Sequence, residues 1–222
     1  MVLQRQGKLE EALHEFRQAT ELLPEDSQSR YMLARALQKL GKADEAAKQI
    51  QQAQKLTEQA HKAPLEKAYN NEGTKLLQQG KTAEATAKFR QALLLNPHDS
   101  YAHFNLGLAL LLQNQYQEAI RELNIYLSLT PDDPDAIYYL GLAFLGEGQT
   151  EKAIMKLNKV VTLRPHDAAA HNALAVALTR IQRMAQAITE LKTARRLRPN
   201  DNRYEKNLDC VQARLKGCTL SL

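Results

Sequence analysis

Proline returns every 34 residues along the second half of this chain, at Pro97, Pro131, Pro165 and Pro199. No other feature constrains the fold as much, because a unit of roughly 20 to 50 residues cannot bury its own apolar face and must stack on its neighbours. Other residues keep the same step. Aspartate stands two positions after each of these prolines, at Asp99, Asp133, Asp167 and Asp201, and Pro24 with Asp26 is an earlier member of the series. Alanine recurs at Ala12, Ala46, Ala85, Ala119, Ala153 and Ala187, with glycine five positions earlier at Gly7, Gly41, Gly80 and Gly148.

Each position has a physical reading. Proline lacks an N–H and clashes with the turn behind it, so it ends a helix. The aspartate carboxylate is placed to accept the orphan N–H groups that open the next helix. Glycine suits a left-handed C′ position between two helices. Alanine marks a close approach of helices, and between these marks apolar residues step at helical spacing, as in Leu106 and Leu110, then Ile120, Leu123 and Leu127. Each unit therefore reads as a pair of antiparallel helices.

Composition agrees. Ala, Leu, Gln, Lys and Glu dominate and β-branched residues are sparse, which favours helix throughout. With 44% hydrophobic residues, 9 glycines and 7 prolines, disordered and collagen-like chains are excluded. The longest uncharged apolar run, Phe104 to Leu112 around Asn105, is too short for a membrane span. The start shows no apolar leader. Cys210 and Cys218 are the only cysteines and make no disulfide framework. These absences point to a cytoplasmic protein with no membrane partner. Net charge is +5, but ten Lys/Arg against four Asp/Glu from Arg180 onward concentrate the excess at the end. That reads as the solvated face of a terminal helix, so nucleic acid is not expected as a partner; Tyr204 is the one aromatic there that could stack on a base.

The pattern resembles the tetratricopeptide repeat family, a helix–turn–helix unit of 34 residues. The residues that carry the resemblance are Asn105-Leu106-Gly107, Leu110, Ala119, Leu123 and Pro131. Leu140-Gly141, Phe144, Ala153, Leu157 and Pro165 repeat them, as do Leu174-Ala175, Leu178, Ala187, Leu191 and Pro199. Tyr69, Gly73, Leu76, Ala85, Phe89 and Pro97 form another such set. The resemblance implies an all-α, right-handed superhelical solenoid of antiparallel helix pairs. Its expected divisions are a truncated unit at 1–26, holding only the second helix, and full units at 27–60, 66–99, 100–133, 134–167 and 168–201. An insertion at 61–65 is expected to delay a helix break to Pro64, and 202–222 is expected to form a capping helix and tail built on Leu208, Val211 and Leu215. In the truncated unit Leu13, Phe16 and Leu22 are expected to face water or another chain, which makes self-association through it a second expectation.

Chemical motifs are weak. Gly80-Lys81-Thr82 lacks the earlier glycine and the strand of a phosphate-binding loop. His98 and His103 recur as His166 and His171, and repetition accounts for them without a metal. No catalytic residue, metal or cofactor is expected, and the chain is not expected to be an enzyme. The resemblance implies that positions 2, 5, 6 and 9 of each unit face a bound peptide. Carried over residue by residue, it points to Lys67, Asn70 and Asn71, then Tyr101, Phe104 and Asn105, then Asp135, Tyr138 and Tyr139, then Asn172. Aromatics with a polar tip suit peptide recognition. Asn71 and Asn105 resemble the asparagines that line O-linked N-acetylglucosamine transferase arrays, although that row meets Tyr139 and Ala173. The clamp for chaperone tails is not matched, since only Asn105 fits and Asp135 has the wrong sign. The expected function is a non-catalytic scaffold that binds a peptide segment of a partner protein rather than a small-molecule substrate. The alternative is a docking or regulatory segment of a larger enzyme such as a glycosyltransferase.

Overall fold

The computed structural model describes residues 2–213 and 220–222, with side chains from Lys8 onward. Among the described residues every regular element is a helix. The chain divides into two compact units, residues 1–67 and 68–222.

The first unit holds α1 (Val2–Leu22), α2 (Ser27–Lys39) and the start of α3 (Ala43–Gln78). Leu13, Leu33, Ala36, Leu37 and Ala46 form its buried core, with Leu9 and Phe16 packed alongside. This corrects the expectation for Leu13, which is only 8% exposed because α2 covers it; Leu22, at 80%, does face water. The turn expected at Gly7 is also absent, since one helix runs from Val2 to Leu22. A glycine allows a left-handed turn without requiring it, and inside a helix it costs only about 1 kcal/mol.

The second unit begins within α3. It continues through α4 (Thr82–Leu95), α5 (Ser100–Leu112), α6 (Tyr116–Leu129) and α7 (Pro134–Gly146). α8 (Thr150–Leu163), α9 (Ala168–Arg180), α10 (Met184–Leu197) and α11 (Asn202–Ala213) complete it. Consecutive helices pack on one another from α4 to α11, and the first helices of successive repeats, α5, α7 and α9, also touch in turn. The repeated aspartates do what their register suggests. Asp99 accepts from the N–H groups of Tyr101 and Ala102, Asp133 from Asp135 and Ala136, and Asp167 from Ala169 and Ala170.

The turns inside the repeats share one design. Gly80 has φ of 77° and Gly148 of 82°, and the N–H after each returns to a carbonyl five residues back: Lys81 to Leu76 at 2.9 Å, Gln149 to Phe144 at 2.8 Å. Asn114 (φ 59°) and Gln182 (φ 64°) take the same left-handed position without being glycine. Where helices of a pair cross, small residues face large ones. A Cβ on Gly107 would lie 2.8 Å from Leu123 Cγ, and one on Gly141 2.9 Å from Leu157 Cγ.

Three further expectations change. The break expected at Pro64 does not occur, and the proline lies inside the continuous α3. Losing one i→i−4 bond weakens a helix without ending it when the residues on both sides favour helix. Tyr204 is 1% exposed, so it is unavailable for stacking on a base. Finally, Cys210 is disulfide-bonded, and Cys218 lies outside the described residues, as do Arg214, Leu215 and Lys216. No helix among the described residues is long and apolar enough to cross a membrane.

Candidate functional site

Within the second unit, α5, α7 and α9 lie side by side, whereas their partners α6, α8 and α10 do not pack on each other to the same extent. The first helices of successive repeats therefore share one face of the stack. The residues of interest sit there at a one-repeat step.

Aromatic rings form the centre. Phe104 on α5 meets Tyr139 on α7 edge-on at 5.9 Å, and Tyr139 meets Tyr138 at 5.5 Å. All three rings are half-buried against the main core, so they contribute packing as well as surface. Such edge-to-face pairs are worth about 0.5–1.5 kcal/mol beyond the area they bury. Tyr101, one turn away on α5, is 73% exposed. Asn105, next to Phe104 in sequence, is half-buried.

Tyr126 is a member that the sequence did not reveal. It comes from the second helix of the pair, outside the register expected to face a ligand. Its ring lies 5.1 Å from Phe104, and its hydroxyl donates to Asp133 Oδ2 at 2.5 Å, which fixes α6 to the cap of α7. Burial, with the Asp133 bond and charge added, pushes the Tyr126 phenol up to about 12. Burial also pushes Tyr138 to about 12, reinforced by the charge of Asp167. For Asp133 the burial that would raise the carboxyl is outweighed by bonds from Tyr126 and the Asp135 and Ala136 N–H groups and by the Arg164 charge, so it stays below its usual range. Near neutral pH both phenols are uncharged, and that of Tyr126 donates to Asp133.

The remaining residues divide. Asn70 donates from Nδ2 to Asp99 Oδ2, so it ties α3 to the cap of α5. Asp135 is held by Arg164 through two bonds, 2.5 and 3.0 Å long. Asn71 is exposed on α3. Lys67 is exposed on α3 and is the last residue of the first compact unit. Asn172 is 2% exposed and donates to the carbonyl of Ser221 at 2.9 Å. The repeated histidines are structural: His103 and His171 each contact a glutamate through Nδ1 at 2.6 Å and a proline carbonyl through Nε2 at 3.0 Å.

Two family models, both described as tetratricopeptide repeat, match the chain, one over residues 1–61 and 70–134 and the other over residues 144–207. The chain belongs to the tetratricopeptide repeat (TPR) family. No curated protein matches this TPR chain in sequence. Among solved structures it is similar to a chain of the APC/C hetero-tetramer Cut9–Hcn1, at 21% identity and a TM-score of 0.62. That match covers 92% of this chain but 40% of the other, so the TPR chain spans well under two thirds of that relative. It is also similar to YrrB, a TPR protein with an unusual peptide-binding site (22% identity, TM-score 0.60, 90% and 98% of the two chains). A third is MamA from Desulfovibrio magneticus RS-1 (24% identity, TM-score 0.59, 79% and 97%). At these identities the likeness is one of fold.

Proposed function

We propose that this TPR chain is a non-catalytic interaction scaffold that holds an extended peptide segment of a partner protein along the face shared by the first helices of its second unit. The observation that carries the reading is the run of Tyr101, Phe104, Tyr139 and Tyr138 over two adjacent first helices, with Asn105 among them. The rings supply apolar anchors, and the phenols and the amide satisfy the main chain of the ligand. YrrB offers a precedent for a peptide site on this fold. Packed helices lie about 8–10 Å apart and an extended chain advances about 3.3 Å per residue, so each repeat accommodates about three residues of the ligand.

The test uses a peptide selected against the purified chain from a random display library. Tyr101→Ala combined with Asn105→Ala removes one anchor and one amide without opening the core, because Tyr101 is 73% exposed. The double variant is expected to bind at least about tenfold more weakly, equivalent to roughly 1.4 kcal/mol, with an unchanged circular dichroism spectrum. Equal affinity would refute the reading.

A further inference from the structure

The row of asparagines does not end at Ala173. One repeat further on, in the register of Asn71 and Asn105, stands Asn207 on α11. It is 2% exposed, as is Asn172 beside it, and the Asn207 Nδ2 donates to Asn172 Oδ1 at 2.8 Å. The same Nδ2 donates to the carbonyl of Ser221 at 2.7 Å, while Asn207 Oδ1 accepts the Ser221 main-chain N–H at 3.0 Å. Asn172 adds its own donor to that carbonyl at 2.9 Å. Both main-chain groups of one residue are therefore taken by one side-chain amide, and the Ser221 hydroxyl adds a donor to the same Oδ1 at 3.3 Å. On either side, Leu220 packs against the core and the Leu222 main-chain oxygen accepts from Arg203 at 2.8 Å.

We propose that Leu220-Ser221-Leu222 is an internal ligand of the Asn172/Asn207 subsite, which keeps the last repeat closed to a partner's peptide until the partner displaces it. A tethered segment acts at an effective concentration in the millimolar range, so a weak contact suffices to fill the subsite. The seat of the tail stands on its own hydrogen bonds; only the identity of the displacing ligand, an extended peptide, rests on the function proposed above.

Amide hydrogen exchange in the full chain tests it. The Ser221 amide is expected to exchange at least tenfold more slowly than an unstructured amide, and Asn207→Ala is expected to abolish that protection. A second variant, Ser221→Pro, removes the donor while leaving both asparagines in place. With it, a fluorescein-labelled peptide ending in Thr-Leu-Ser-Leu, the sequence of residues 219–222, is expected to bind at least tenfold more tightly than to the wild-type chain. An unprotected Ser221 amide, protection that survives Asn207→Ala, or equal peptide affinity for the two chains would each overturn the proposal. The Tyr101→Ala/Asn105→Ala variant leaves Ser221 protected, so loss of partner binding there and loss of the tail contact are separate results.

Discussion

The Cβ that Gly73 lacks is what lets α3 lie against Phe89, for an added methyl would stand 2.6 Å from the ring, which is itself fully buried. Gly73→Ala is therefore expected to destabilise the second unit by about 1–3 kcal/mol by overpacking, although alanine is the better helix former. Urea denaturation measures it. The opposite sign is expected at Gln182, whose φ of 64° strains a residue with a side chain. Gln182→Gly is expected to raise stability by about 0.5–1 kcal/mol, also read from urea melts. The tyrosines give a pH dependence. Folding keeps Tyr126 and Tyr138 neutral, moving each from an ordinary value of 10.0 to about 12. The stability they contribute is complete below pH 10 and lost as pH rises through 12. The urea midpoint is expected to fall between pH 9 and pH 11, and to fall less in the Tyr126→Phe/Tyr138→Phe double variant.

At the scale of elements, capping and turn chemistry were legible because each rests on one residue type at a fixed place. Asp99, Asp133 and Asp167 cap helices, and Gly80 and Gly148 turn left-handed, from local sterics alone. The long α3 was not legible. A proline at position 64 signals a stop, yet helix-favouring residues on both sides carry the helix through. Pro64→Ala restores an N–H and relieves the clash with the preceding turn, so amides around residue 60 are expected to gain protection from hydrogen exchange, by up to about 3 kcal/mol. The left-handed turn at Gln182 was equally invisible, since nothing in its side chain favours that conformation and only the closure of the repeat imposes it.

Across the second unit, the 34-residue register was enough to place the aromatic residues of interest on the first helices of two successive repeats. Tyr101, Phe104 and Asn105 lie on α5 and Tyr138 and Tyr139 on α7, because the step of the repeat brings equivalent positions to equivalent helices. What periodicity did not show is what each group is bonded to. Asn70 is spent on the Asp99 cap, Asp135 is paired with Arg164, and Tyr126 enters the aromatic cluster from the other helix of its pair. Asn207 keeps the same 34-residue register, but on α11, where no repeat pattern flanks it to mark it. The central claim is that a partner's peptide lies on the first helices of the second unit. It is tested most directly by recording amide chemical shifts of the chain as a display-selected peptide is added. The account predicts that the largest changes fall at Tyr101, Phe104, Asn105, Tyr138 and Tyr139; changes confined to α6, α8 and α10 would contradict it.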